Sequence, residues 1–113
     1  MSDKAQAAVA EARRHLGTPY KWGGDSPGGF DCSGLVQYCY KVVGVSLPRT
    51  TSQQINKGKS ISQDNLKVGD LVFPNSGHVG LYVGDGKFIH APKAGDVVKI
   101  SSVYSFYAGR RVA

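Results

Sequence analysis

Cys32, His78 and His90 in this 113-residue sequence have the side-chain types needed to break an acyl bond. A thiolate is the nucleophile of covalent acyl chemistry, and an imidazole within reach can take the thiol proton and return it to a leaving group. Cys32 follows Asp31, a strong helix-capping residue. Leu35, Val36, Cys39, Val42 and Val43 then form an apolar stripe that Gly44 closes. The sulfur is therefore expected at the first position of a helix, where unpaired N–H groups and the helix dipole favour an anion. That setting activates a thiol; the plain alternative is a small buried apolar residue. Cys39 belongs to the stripe and is read as core. Seven residues along one helix separate the cysteines, a rise of about 10.5 Å that exceeds the ~7 Å a disulfide can span. The redox compartment therefore stays unread.

His78 and His90 flank Gly84-Asp85-Gly86, and their relation depends on how that turn is built. With Asp85-Gly86 as a two-residue turn, Leu81 opposes His90 and His78 lies on the other face. With Gly84-Asp85-Gly86 as a three-residue loop and Gly86 in a bulge, Gly80 opposes His90. His78 is then its diagonal neighbour, at roughly 7–8 Å between Cα atoms. Cooperation between the two rings requires the longer loop, and Gly80 would leave room for them.

A metal would be the competing use of Cys and His, but the closely spaced ligand pairs of zinc sites are missing from the sequence, and neither metal nor cofactor is expected. Hydrophobic residues make up 41% of the chain and charged residues 19%, enough for one core and against disorder; a single domain over 1–113 is expected. No apolar run approaches the ~20 residues of a membrane span. Met1 to Ala10 has no unbroken apolar stretch, so no secretory signal is read, although a processed chain would look the same. Fourteen Lys and Arg against 8 Asp and Glu give a net charge of +6, which favours approach to polyanions. The cations are scattered, the closest groups being Arg13-Arg14, Lys57-Gly58-Lys59 and Arg110-Arg111, so nucleic acid is not an expected partner.

The elements that must position these residues follow from periodicity. Ala5, Ala8, Val9, Ala12 and Leu16 recur at helical spacing over Lys4 to Leu16, with Ser2 or Asp3 as cap and Gly17 as stop. Residues 17 to 29 are rich in Gly and Pro and read as a loop. The helix headed by Cys32 comes next, then a short one capped by Thr50 or Thr51 and running through Ile55. After Asp70 the period changes to that of strands over 71–73, 78–83, 87–91, 97–100 and 106–112. Helices first and strands afterwards predict an α+β domain with an antiparallel sheet.

The ordered segments Gly17-Thr18-Pro19-Tyr20-Lys21-Trp22-Gly23-Gly24, Phe30-Asp31-Cys32-Ser33-Gly34-Leu35-Val36, Leu47-Pro48-Arg49, Lys67-Val68-Gly69-Asp70-Leu71-Val72-Phe73, Gly77-His78-Val79-Gly80-Leu81-Tyr82-Val83-Gly84 and Phe88-Ile89-His90-Ala91 resemble an NlpC/P60 cell-wall peptidase domain nearly end to end. The resemblance implies a papain-like fold in rearranged order, N-terminal helices packed on an antiparallel barrel-like sheet. It implies Cys32 as nucleophile, His78 as general base and His90 as the residue that orients His78. Tyr20 would stand near the thiolate, able to join the Cys32 N–H at the oxyanion or only to pack over the helix. Asp31 and Ser33 would line the substrate cleft, Asp31 being equally readable as a helix cap, and Trp22 would be cleft wall or core. The implied substrates are peptidoglycan stem peptides or muropeptides, cut at the bond between D-γ-glutamyl and the following diamino acid by a monomer. That substrate implies an extracellular or wall-associated site of action, or a cytoplasmic one if imported muropeptides are recycled. The alternatives are an amidase or acyltransferase using the same Cys and His, since fold alone does not fix the reaction, and a non-catalytic wall-binding module.

Overall fold

Small apolar side chains at helical spacing build the first element. In the computed structural model, which describes residues 3–113, helix α1 spans Asp3–Arg13 and buries Ala5, Ala8, Val9 and Ala12. Ser2, one of the two expected caps, lies outside the described residues. The helix ends short of the expected Leu16. His15 N–H and Leu16 N–H bond back only three residues, to Ala12 and Arg13, and Leu16 is left 44% exposed with no core to face.

The glycine-rich loop contains a short hairpin, β1 (Asp25–Ser26) with β2 (Gly29–Phe30), which two-residue strands do not announce by alternation. It carries Phe30 into the core at full burial. Helix α2 follows as Cys32–Val42, capped by Asp31 as expected, with Leu35, Val36, Cys39 and Tyr40 buried. Gly34 is pressed against the loop: a Cβ there would lie 1.9 Å from the Gly24 carbonyl oxygen, so no side chain fits. Helix α3 is Thr51–Gln54, with Thr50 and Gln53 forming a reciprocal capping box.

Strands β3 (Lys59–Ser60), β4 (Leu71–Phe73), β5 (Gly80–Gly84), β6 (Lys87–His90), β7 (Lys99–Ser102) and β8 (Ala108–Arg111) form one sheet in the order β3-β8-β4-β5-β6-β7, every pair antiparallel. Helices α1 and α2 pack on it through β5, and α1 also through β6, enclosing a core of Ala8, Val36, Leu71, Leu81 and Ile89. This is the expected α+β arrangement. The strand expected at 97–100 begins two residues later. Val97 instead bridges Pro19, and Val98 exchanges hydrogen bonds with Thr18 and Gly17, which ties the first loop to the sheet. No helix among the described residues is long and apolar enough to cross a membrane.

The β5–β6 hairpin corrects the expected three-residue loop. Asp85 and Gly86 form a two-residue turn with φ of 55° and 71°, closed by the pair Gly84 and Lys87. The extra residue is Val83, bulged between the pairs Tyr82–Phe88 and Gly84–Lys87. One inserted residue reverses side-chain alternation wherever it sits in the hairpin. The histidines therefore share a face as the longer loop required, by a different device.

Candidate active site

Two neighbouring hollows gather the chemically capable residues. Tyr20, Trp22, Asp31, Cys32, Ser33 and Thr51 line one of them. His78, His90, Lys99 and Ser101 line the other, and Gly77, adjacent to His78 in the chain, lines both.

Cys32 takes the first position of α2 and is partly exposed, whereas Cys39 is fully buried and its thiol pKa is pushed far up by burial. Both cysteines are free. The Cys32 sulfur has a hydroxyl partner, Thr51 Oγ1 at 3.5 Å, supplied by α3. Asp31 accepts from Gly34 N–H at 2.7 Å, the capping bond that fixes the head of α2. Arg49 grips the same carboxylate with two nitrogens, Nη1 to Oδ1 at 3.1 Å and Nη2 to Oδ2 at 2.8 Å. It also donates to Ser33 Oγ at 2.9 Å and to the Gly24 carbonyl at 3.2 Å. Asp31 is thus a cap and an ion-pair partner at once, and Ser33, 6% exposed, has its hydroxyl engaged within this network.

Tyr20 is partly buried, and its hydroxyl pKa is raised first by that burial and then by the negative charge of a Cys32 thiolate and of Asp31. Its coupling to Cys32 puts the phenol in the electrostatic neighbourhood of the sulfur. Trp22 is 87% exposed, so it is not a core residue, and it borders the first hollow.

The imidazoles meet edge to face. His78 Nε2 lies 2.8 Å from His90 Nδ1, with ring centroids 5.0 Å apart, and His90 Nε2 lies 2.9 Å from Ser101 Oγ. Phe88 stacks on His90 at 4.2 Å, and His90 is 3% exposed. Burial lowers the pKa of both rings. That of His90 falls to about 4, with the neighbouring His78 and Lys99 adding to the effect and Asp96 opposing it. Both shifts favour the neutral rings near pH 7, and a neutral imidazole carries one N–H and one lone pair. Among the described residues no cluster of three or more His, Cys, Asp or Glu side chains is arranged to hold a metal ion.

Arg49, Thr51 and Ser101 were not singled out from the sequence as site residues. Arg49 and Thr51 reach Asp31 and Cys32 across separations of 18 and 19 residues, and Ser101 reaches His90 from the next strand. Only Arg49 left a signal, its place in the Leu47-Pro48-Arg49 segment.

The pattern of the NlpC/P60 family matches residues 17–113. The chain is 42% identical over 112 residues to murein DD-endopeptidase MepH from Escherichia coli, covering 90% of this chain and 41% of that protein. It is 47% identical over 92 residues to gamma-D-glutamyl-L-lysine dipeptidyl-peptidase from Bacillus subtilis, covering 75% of this chain and 31% of that one. The solved NlpC/p60 domain of peptidoglycan hydrolase SagA superposes with a TM-score of 0.89 at 41% identity, over 96% of this chain and 98% of that domain. The chain spans less than half the length of these curated relatives.

Proposed function

Because the chain belongs to the NlpC/P60 family, whose pattern covers residues 17–113, we propose that it is a cysteine peptidase that hydrolyses peptidoglycan stem peptides, with Cys32 as nucleophile and His78 as general base. The observation that carries this reading is the 2.8 Å contact between His78 Nε2 and His90 Nδ1. It occupies one nitrogen of His78 and leaves Nδ1 to exchange a proton with the thiol. In this mechanism His78 takes the Cys32 proton and the thiolate attacks the amide carbonyl. The Cys32 backbone N–H and the Tyr20 hydroxyl hold the oxyanion, and His78 protonates the departing amine. Water, deprotonated by His78, then hydrolyses the thioester. His90 orients His78 and stays neutral throughout.

The bond assigned is the one between D-γ-glutamyl and the diamino acid. The name of the Bacillus subtilis relative supports that choice, while the name of the Escherichia coli relative points to the DD cross-link. Mass spectrometry of defined stem peptides decides the matter. A new D-Glu carboxylate together with a free diamino acid amine is expected. A new D-Ala carboxylate would move the assignment to the cross-link, and an acylated acceptor would make the protein a transferase. Cys32→Ala should abolish turnover with the fold intact, and unchanged hydrolysis by that variant would refute the nucleophile.

A further inference from the structure

His90 uses both of its ring nitrogens, one on His78 and one on Ser101. A neutral imidazole carries one N–H and one lone pair, so it donates at one end and accepts at the other. Two arrangements satisfy the chain. In the first, His78 Nε2–H donates to His90 Nδ1, His90 Nε2–H donates to Ser101 Oγ, and His78 Nδ1 keeps its lone pair. In the second, Ser101 O–H donates to His90 Nε2, His90 Nδ1–H donates to His78 Nε2, and His78 Nδ1 already carries the proton. Only the first leaves His78 able to act as a base.

We propose that Ser101 is a positioning residue that accepts the His90 Nε2–H and thereby fixes the tautomers of both histidines. Its place in the sheet puts it there. Lys99 pairs with His90 and Ser101 with Phe88, so Ser101 sits on the face that carries His90 and Phe88, diagonal to the ring it contacts. Ser101 is partly exposed in the histidine hollow, so its own hydrogen can turn to solvent while a lone pair serves His90. His90 is too deeply buried to replace that acceptor with bulk water.

A hydroxyl also suits the task better than a carboxylate. The charged and titratable groups that bear on His90 are His78, Lys99 and Asp96. A second carboxylate would favour the imidazolium, and a protonated His90 has no lone pair for His78. The role rests on the reading of His78 as the base, and the test separates the two.

Histidine ¹⁵N spectra of the full chain should show His78 and His90 as Nε2–H tautomers in the unaltered protein and a population of Nδ1–H His90 in Ser101→Ala. In stem-peptide hydrolysis, Ser101→Ala should lower kcat about tenfold or more with KM little changed, because the lesion falls on proton transfer. Ser101→Thr, which keeps the hydroxyl, should restore most of it. Ser101→Asp should move the acid limb of the kcat profile to higher pH, which loss of packing alone would not do. Identical tautomers in Ser101→Ala and the unaltered protein would overturn the assignment. A tautomer change in a protein that hydrolyses no stem peptide would uphold the Ser101 assignment and overturn the hydrolase reading instead.

Discussion

Gly80 leaves its side-chain position empty against His90: a Cβ built there would lie 2.9 Å from His90 Cβ, 2.7 Å from the Ile89 carbonyl oxygen and 2.5 Å from Phe88 Cδ2. These atoms all belong to strand β6 and to the ring stacked on His90, so none is the free end of a flexible chain. Gly80→Ala should therefore push β6 away from β5, costing about 1–3 kcal/mol in denaturant unfolding. Stem-peptide hydrolysis should fall by more than the lost folded fraction explains, because the 2.8 Å contact between the histidines depends on that spacing. Unaltered activity in Gly80→Ala would separate the histidine geometry from the hairpin.

The same hairpin marks where the sequence was legible and where it was not. The parity of His78 and His90 could be read as a requirement, and Gly80 as the residue that makes room for it. The device could not be read, because a bulge at Val83 and a three-residue loop impose the same alternation. Helix α2 was legible because Asp31 and the apolar stripe act within one element. Strands β1, β2 and β3 were not, since two residues cannot display a period. Thr51 and Ser101 exert their effects through tertiary contacts that no local pattern encodes, and Arg49 showed only as part of the Leu47-Pro48-Arg49 segment, without its partner.

Arg49 is the strut of helix α2. Its guanidinium joins Asp31, Ser33 and the Gly24 carbonyl, so it ties the head of α2 to the preceding loop. Arg49→Ala should cost about 1–3 kcal/mol, since it removes charge-assisted bonds from a half-buried carboxylate. Arg49→Lys should recover only part of that, because an ammonium cannot match the two-nitrogen grip. Equal unfolding midpoints for Arg49→Lys and the unaltered chain would show that charge alone suffices.

Thr51 faces the sulfur with a hydroxyl at 3.5 Å and is 8% exposed. A donor aimed at a thiolate favours the anion, and the anion is the nucleophile. Thr51→Val keeps the shape and removes the hydroxyl. Alkylation of Cys32 by iodoacetamide at pH 7 should slow several-fold in this variant while the unfolding midpoint moves little. Buried Cys39 should stay unreactive, so it serves as the internal control. An unchanged alkylation rate would leave Thr51 with a packing role only.

The histidine pair should also write a pH dependence into folding. His90 titrates at 6.5 in the unfolded chain and is lowered to about 4 in the fold by burial, with His78 and Lys99 adding to the effect. Between those values the unfolded chain holds a proton that the folded one does not, so stability rises with pH across the window. The contribution is complete above pH 6.5 and is lost progressively as pH falls to about 4, amounting to up to about 3 kcal/mol. His78, lowered by burial, adds in the same direction. Thermal unfolding from pH 7 to pH 4 should therefore show a steadily falling midpoint. His90→Gln, which keeps a polar group beside Ser101 but cannot titrate in this range, should flatten the slope and leave the parts due to His78 and to the lowered carboxyl of Asp96. An unchanged slope in His90→Gln would place the titrating group elsewhere. A stability that rose on acidification would mean that the pair binds protons more tightly folded than unfolded, as an imidazolium facing a carboxylate would.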